Sequence, residues 1–338
     1  MTGRPMHMLH CLAVRDETAD VKTFVFRAAD GHPVAFSAGQ AMTFALPVDG
    51  ERLMRTFSIS SAPGNAAVEI TVKAHPHGRA TPWMHRTIVP GVMVEATGPR
   101  GGFVLGDSVP ERIAFISAGS GATPLMAMLR SVTNTEADIF WFHAARTPAD
   151  VLFAADLAAL QRRMPRLCVA VTVSRPEPGW FGYHGRVSRR MLSAAAPDLG
   201  RRDAFCCGPE RFMDAAKLIH AAEGGNPARF HIEHFHAPTA VERPVFPPGL
   251  PNAAFTVTIP GGRTFRAAAD ETILEAATRQ AVVIPCGCAS GLCGTCRVRR
   301  LSGTVAMRHN GGLSPEEEAE DYILACSSRP LSDIAISF

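Results

Sequence analysis

The chain has 338 residues, which predicts two to three domains at about 100–200 residues per domain. Its net charge of +3, without a block of lysine or arginine, argues against nucleic-acid binding. There is no run of about 18 apolar residues that would predict a membrane helix. The N-terminus also has no secretion-signal pattern, so we expect a cytoplasmic protein with no membrane partner.

Residues 1–107 are expected to form an antiparallel β-barrel domain. Short segments such as Met42–Leu46 and Val68–Lys73 alternate apolar with other residues, as half-buried strands do. Turn-forming pairs such as Asp49-Gly50 separate the segments. Several short strands with frequent turns predict a small barrel.

Residues 108–237 are expected to form a doubly wound α/β domain. Short apolar runs alternate with helix-like stretches, which predicts βαβ units and a parallel sheet. The runs are Ile113–Ser117, Ile139–His143, Leu167–Val173 and Asp203–Cys207.

A glycine turn follows the first of these runs and contains Gly119, Gly121, Thr123 and Pro124. We expect Thr123 to be the N-cap and Pro124 the first residue of a helix. A helix start of this kind presents free N–H groups to a phosphate. A tight turn that binds nothing stays open as an alternative, because a G-x-G pattern by itself is a weak signal. The third glycine of the dehydrogenase fingerprint is absent, which argues against an ordinary Rossmann dehydrogenase.

A proline-rich linker is predicted over residues 238–254, and a third domain over residues 255–338. Strand-like segments flanking Pro260-Gly261-Gly262 predict a hairpin. Asp270 is the expected N-cap of a helix over Glu271–Arg279.

Five of the nine cysteines lie between positions 286 and 326. Cys288, Cys293 and Cys296 have the C-x4-C-x2-C spacing of plant-type ferredoxins, and Cys326 supplies a distant fourth thiol. Glycines at 287, 291 and 294 permit a loop to wrap closely around a [2Fe–2S] cluster. A zinc site formed by Cys286, Cys288, Cys293 and Cys296 is the alternative. Cys11, Cys168 and Cys206 are expected to be core thiols.

Together these motifs resemble the ferredoxin–NADP reductase superfamily, in particular the flavin, nicotinamide and [2Fe–2S] reductases that serve oxygenases. The resemblance implies that residues 255–338 form a plant-type ferredoxin domain with an α+β β-grasp fold. Arg55-Thr56-Phe57-Ser58 is similar to the family's Arg-x-Tyr-Ser flavin motif, with Phe57 in place of tyrosine. The resemblance implies that Arg55 holds flavin phosphate, Phe57 lies along the isoalloxazine, and Ser58 approaches its N5. Thr56, which lies between Arg55 and Phe57, is also expected to be a cofactor-binding residue.

Gly78-Arg-Ala-Thr81, which follows Lys73, is similar to the family's pyrophosphate-binding turn. This similarity implies FAD, with FMN left open, and Lys73, Gly78 and Thr81 are included among the cofactor-binding residues.

On the nucleotide side, Gly119, Gly121, Thr123 and Pro124 match the family's glycine loop. Cys207-Gly208-Pro209 matches its Cys-Gly-Pro motif, which implies that Cys207 lies beside the nicotinamide as a positioning group. Glu233 and Phe235 resemble the family's terminal acidic and aromatic pair near the flavin; a closing β-strand is the alternative. Ser58, Cys207 and Glu233 form the expected catalytic set.

Arg146 and Arg175 follow the second and third strand-like runs, where contacts to the cofactor ribose are usual. An arginine at such a position could favour a 2′-phosphate, although it is more often a solvated loop charge. The choice between NADH and NADPH therefore stays open, with NADH favoured.

The resemblance implies an oxidoreductase in which NAD(P)H reduces the flavin and the cluster carries electrons to a partner Rieske non-haem iron oxygenase. A reductase for a hybrid-cluster protein or another redox acceptor is the first alternative. A zinc-stabilised binding module, which would not be an enzyme, is the second.

Overall fold

The computed structural model describes residues 6–106, 108–235, 254–286, 288–289 and 291–338. They form two compact units, one holding most of the chain up to His234 and the other mainly Phe235–Phe338. Apart from Ala254, the predicted linker lies outside the described residues, as does Gly287. No helix in these ranges is both long and apolar enough to span a bilayer.

The first part of the larger unit is a six-stranded sheet with one helix. Its elements are β1 (Met6–Thr18), β2 (Val21–Ala28), β3 (Ala41–Val48), β4 (Glu51–Ser58), β5 (Val68–Lys73), α1 (Ala80–Thr87) and β6 (Met93–Arg100). The strand order is β4-β3-β6-β1-β2-β5. Strand β1 pairs antiparallel with β2 and β6, and β2 with β5. Ile59, just beyond β4, forms a bridge with Ile70 of β5, so the sheet is barrel-like as predicted.

The second part of the larger unit is a six-stranded parallel sheet with helices, as predicted. Its elements are β7 (Arg112–Ala118), α2 (Ala122–Ser131), β8 (Asp138–Ala145), α3 (Ala154–Arg163), β9 (Leu167–Val173), β10 (Tyr183–His184), α4 (Arg189–Ala195), β11 (Asp203–Cys207), α5 (Glu210–Ala222) and β12 (Phe230–Glu233). The order β10-β9-β8-β7-β11-β12 puts β8 and β7 in the middle. Alternate residues of these strands pack into two cores, one on each face of the sheet.

The structure corrects two predictions in this sheet. Thr123 is not the N-cap of α2 and Pro124 is not its first residue, because a tight turn at Gly119–Gly121 continues into the helix, which begins at Ala122 and has both residues in its first turn. Cys168 is exposed and is not a core thiol. The reason is that the short strand β10 pairs only with Thr172 and Val173, which leaves the Cys168 end of β9 at the sheet edge.

The second unit is built on a five-stranded sheet with a helix against it. Its elements are β13 (Ala254–Thr258), β14 (Thr264–Ala268), α6 (Ile273–Arg279), β15 (Arg297–Ser302), β16 (Val305–Met307), α7 (Pro315–Ala319), β17 (Tyr322–Leu324), β18 (Ser328–Pro330) and β19 (Ile334–Ser337). The sheet order is β14-β13-β19-β15-β17, and β16 pairs separately with β18. This is the β-grasp arrangement expected for a ferredoxin domain, with the hairpin β13–β14 confirmed.

The helix of this unit begins later than predicted. Thr272, not Asp270, is the N-cap of α6, and it forms a reciprocal capping box with Glu275. Sequence spacing alone did not separate two polar candidates two residues apart, whereas the box satisfies two backbone donors at once.

Candidate functional site

The predicted flavin motif lies on β4. Phe57 is partly buried against the barrel core, and its ring meets Phe44 edge to face at 5.9 Å between centroids. Arg55 is exposed and donates to the Met54 carbonyl at 2.8 Å. Ser58 is buried at the end of the strand. The strand therefore carries an accessible cation, a supported aromatic ring and a buried hydroxyl in succession.

The predicted pyrophosphate turn leads into α1. Gly78 N–H donates to the His75 carbonyl at 2.8 Å, and His75 N–H donates to Thr81 Oγ1 at 2.9 Å. Within the described residues no side chain caps the start of α1. Backbone N–H groups of its first turn are thus placed to meet an anion.

The glycine loop packs directly on the end of β11. A Cβ on Gly121 would lie only 2.1 Å from the Cys207 carbonyl oxygen, so no larger residue fits there. Thr123 Oγ1 donates to the Ser120 carbonyl at 2.9 Å, and Pro124 is buried. After Cys207, Gly208 and Pro209 lead into α5. The glycine loop and the Cys-Gly-Pro motif are therefore packed directly against each other.

The three residues of the predicted catalytic set come together. Cys207 and Glu233 are partners in register on the parallel strands β11 and β12. Ser58 of the barrel lies beside the Glu233 carboxyl and lowers its pKa slightly. Neither Glu233 oxygen has a partner among the described residues that meets the distance and angle of a hydrogen bond.

Burial keeps this set neutral. Burial raises the pKa of Glu233 to about 8, so its carboxyl holds a proton at neutral pH. Burial, with added effects of Glu233 and Cys206, raises the pKa of the Cys207 thiol well above its ordinary value. A thiol of this kind fills space and positions a neighbour; it is not an activated nucleophile.

Sequence reasoning missed a second buried polar pair on the same sheet. Ser117 Oγ lies 2.8 Å from His143 Nδ1, and both side chains are completely buried. Burial lowers the pKa of His143 to about 4, so its ring is neutral. The parallel pairing aligns Glu233, Cys207, Ser117 and His143 in one row across four strands. The sequence did contain a signal for this pair: Ser117 and His143 are the polar residues at the ends of two apolar strand-like runs.

Lys73 and Arg146, two of the predicted cofactor-binding residues, both form an ion pair with Asp20. Asp20 lies 2.9 Å from Lys73 and 3.4 Å from Arg146, which also meets Asp150 at 3.5 Å. Burial would raise the pKa of Asp20, but Lys73 and the other partners hold it below its usual value. Lys73 and Arg146 are therefore engaged in ion pairs near the ends of β5 and β8.

Arg175 and Phe235 are less constrained. Arg175 is exposed just beyond β9, and its N–H donates to the Arg146 carbonyl at 2.7 Å. Phe235, two residues beyond the buried Glu233, is 38% exposed. The roles of both residues stay predictions.

In the second unit, the four predicted ligands form two pairs of thiols. Backbone N–H···S hydrogen bonds link Cys288 with Cys293 and Cys326 with Cys296. The Cys288 thiol lowers the pKa of Cys293 to about 4. Cys286 is half-buried and lies outside these two pairs. Two thiols for each of two irons is the arrangement that a [2Fe–2S] cluster requires.

Backbone N–H groups also point at these sulfurs, as expected for a cluster loop. Cys288 N–H donates to Cys293 Sγ at 3.3 Å, and Cys326 N–H donates to Cys296 Sγ at 3.4 Å. The further donors are the N–H groups of Leu292, Cys293 and Thr295, at 3.3–3.4 Å. Among the described residues, no three metal-ligating side chains gather as the ligands of a single ion. The residues present fit a two-iron cluster held by two pairs.

Three family models match successive parts of the chain. The oxidoreductase FAD-binding domain matches residues 11–105 and the oxidoreductase NAD-binding domain matches residues 115–218. The 2Fe-2S iron-sulfur cluster binding domain matches residues 257–331, which favours the cluster over the zinc alternative.

Curated relatives align over almost the whole chain. The glycine betaine monooxygenase reductase subunit of Chromohalobacter salexigens is 35% identical, covering 98% of this chain and 95% of that protein. The stachydrine N-demethylase reductase subunit Stc4 of Rhizobium meliloti is 36% identical, covering 97% and 95%. The NADH oxidoreductase HCR of Escherichia coli is 31% identical, covering 96% and 95%.

A solved structure shares the fold over the full length. Phthalate dioxygenase reductase aligns with a TM-score of 0.63 at 24% identity, covering 98% of each chain. Its title describes a modular structure for electron transfer from pyridine nucleotides to [2Fe-2S].

Proposed function

Because the chain belongs to the ferredoxin–NADP reductase-type family of FAD- and NAD-binding reductases that carry a [2Fe–2S] domain, we propose that it passes electrons from NAD(P)H to a separate terminal oxygenase. The observation that carries this proposal is the pairing of Cys288 with Cys293 and of Cys326 with Cys296 by N–H···S hydrogen bonds, in a chain that also buries Ser58, Cys207 and Glu233. When bound, FAD supplies the step between a two-electron nicotinamide donor and a one-electron cluster.

The chain's own residues bind and orient these groups. Arg55 meets flavin phosphate, and the Gly78–Thr81 turn meets the pyrophosphate. Phe57 supports the isoalloxazine face. These roles rest on the accessible guanidinium of Arg55, the packing of Phe57 against Phe44, and the uncapped start of α1.

In the proposed nucleotide site, the glycine loop allows the cofactor to pack closely against the backbone. Gly119 and Gly121 let the cofactor's phosphates approach the backbone, with Thr123 and Pro124 ordering the first turn of α2. The neutral Cys207 thiol positions the nicotinamide. The Glu233 carboxyl holds a proton beside Ser58, and its burial excludes water from that position.

The four paired cysteines hold the cluster, with Cys286 outside the ligand set. This assignment is supported by the two thiol pairs and the five N–H groups directed at their sulfurs. We also propose domain boundaries at residues 1–107, 108–237 and 255–338, joined by the linker at 238–254. Cluster ligands must stay thiolates, which favours the reducing cytoplasm.

The proposed acceptor is a Rieske-type oxygenase that acts on a quaternary ammonium compound. Support comes from the two relatives whose names mention glycine betaine and stachydrine. The proposed donor is NADH, because the carboxylates of Asp20 and Asp150 lie beside Arg146 and offset the charge that a 2′-phosphate would need. The role of Arg175 is tested by comparing the two nucleotides.

The experiment combines a spectrum with reconstitution. The purified protein should show a flavin absorption band with iron–sulfur shoulders; a colourless protein would refute the proposal. NADH oxidation is then measured with purified oxygenase components and betaine substrates. Coupled substrate turnover supports the proposed acceptor, whereas activity only with a hybrid-cluster protein would replace it. Arg175→Ala should leave kcat/KM for NADH unchanged while lowering any activity with NADPH.

A further inference from the structure

Ser327 places a buried hydroxyl next to a proposed cluster ligand. It follows Cys326 directly in the chain, and its Oγ has no hydrogen-bond partner among the residues that the structure describes. A buried hydroxyl without a partner is destabilising, so native proteins nearly always provide an acceptor. An acceptor is therefore expected close to Cys326.

The surroundings of Ser327 identify where that acceptor lies. A Cβ built on Gly291 would lie 3.1 Å from Ser327 Oγ, so the hydroxyl packs against the loop between Cys288 and Cys293. The hydroxyl is thus at the point where the ligand loop approaches the fourth cysteine.

The other thiol pair already has a hydroxyl beside it. Thr295 Oγ1 lies 3.1 Å from Cys293 Sγ, within the pair formed by Cys288 and Cys293. Ser327 directly follows Cys326, a member of the other pair. Each pair of thiols therefore has one side-chain hydroxyl near it in the chain: that of Thr295 accepts from the Cys293 thiol, whereas that of Ser327 has no partner among the described residues.

We propose that Ser327 donates an O–H···S hydrogen bond to a sulfur of the [2Fe–2S] cluster and thereby raises the reduction potential of the cluster. When the cluster accepts one electron, its charge becomes more negative by one. A hydrogen-bond donor stabilises the more negative state more strongly, which favours reduction. Ser327 thus adjusts the reduction potential of the cluster but does not itself carry the electron.

Ser328 provides a matched control. Its hydroxyl is also buried without a hydrogen-bond partner in the described part of the chain. It belongs to β18, where it pairs with Met307, whereas Ser327 lies in the turn before that strand. The two hydroxyls therefore share burial and chemistry but differ in their place: that of Ser327 lies against Gly291 of the ligand loop, and Ser328 lies in the strand.

The test is a redox titration of the full-length holoprotein followed by electron paramagnetic resonance of the reduced cluster. Ser327→Ala should shift the midpoint potential to a more negative value, Ser327→Thr should keep it close to wild type, and Ser328→Ala should leave it unchanged. Resonance Raman spectra in H2O and D2O give a second readout, because the isotope shift of the Fe–S bands should shrink in Ser327→Ala.

Two results would overturn the inference: an unchanged potential in Ser327→Ala, or an equal shift in Ser328→Ala. If Ser327→Ala assembles no cluster, the isosteric pair Ser327→Thr and Ser327→Val replaces it, and equal potentials in that pair refute the role. The inference rests on the proposed cluster site. Wild-type protein without iron–sulfur bands would refute that site, whereas a full cluster with an unchanged potential refutes only Ser327.

Discussion

Cys207 and Glu233 lie side by side in register on adjacent parallel strands, and both side chains are buried. A carboxyl and a thiol at this position would repel each other if both ionised. Burial instead keeps each of them protonated, so the pair presents a neutral surface next to Ser58. This neutrality has measurable consequences for reactivity and for the pH dependence of stability.

The first consequence concerns thiol reactivity. Because burial raises its pKa and removes it from solvent, Cys207 should resist alkylation by iodoacetamide in the native protein at neutral pH. Cys168 is exposed on β9 and should react readily. Peptide mass spectrometry after brief labelling measures both, with labelling in denaturant as the control. Equal native labelling of the two cysteines would contradict the structure.

The second consequence concerns Glu233 and pH. The folded carboxyl keeps its proton up to about pH 8, whereas the unfolded one ionises near 4.5. The contribution of Glu233 to the free energy of unfolding is therefore complete below pH 4.5. It declines as pH rises towards about 8, by at most about 1.4 kcal/mol per pH unit. Glu233→Gln cannot ionise and should lose less stability over this range. Thermal unfolding of both proteins across the window measures the difference, and parallel curves would exclude a raised pKa.

Cluster ligation is tested by exchanging single cysteines. Cys288→Ser should abolish the cluster, because it removes one member of the thiol pair with Cys293. Cys286→Ser, two residues away and outside both pairs, should largely retain it and is the matched control. Visible absorption together with iron and sulfide content gives the readout. Loss of the cluster in Cys286→Ser with retention in Cys288→Ser would reverse the assignment.

Flavin binding is tested on β4. Arg55→Ala should release flavin, because the exposed guanidinium is the cation proposed to meet its phosphate. Arg52→Ala is the control on the same strand, since Arg52 is occupied by an ion pair with Glu95. Flavin content after gel filtration is measured for both variants. Full occupancy in Arg55→Ala would remove that residue from the site.

The glycine loop offers a steric test. In Gly121→Ala the new Cβ would lie 2.1 Å from the Cys207 carbonyl oxygen, so the loop must move. Overpacking of this kind costs about 1–3 kcal/mol. We expect KM for NADH to rise by about tenfold for each 1.4 kcal/mol lost in nucleotide binding, with flavin and cluster content unchanged. Steady-state kinetics with ferricyanide as acceptor measures it, and an unaltered KM would show that the loop does not bind the nucleotide.

Local patterns determined much of the architecture and the chemistry. The strands Val68–Lys73, Leu167–Val173 and Asp203–Cys207 have the predicted bounds, because alternating or continuous apolar residues reflect burial directly. The spacing of the cysteines predicted the cluster without any structure, since one short loop must supply three ligands at fixed separations. Short-range geometry depends on residues that are close in the chain, so local sequence patterns predict it.

What depends on distant contacts was decided only by the tertiary structure. The exposure of Cys168 follows from the shortness of β10, and the start of α6 at Ile273 follows from a capping box competing with Asp270. The neutral state of Cys207 and Glu233 and the pairing of Ser117 with His143 arise from strands far apart in the chain. Burial and strand register depend on which elements become neighbours, and a single sequence read locally does not contain that information.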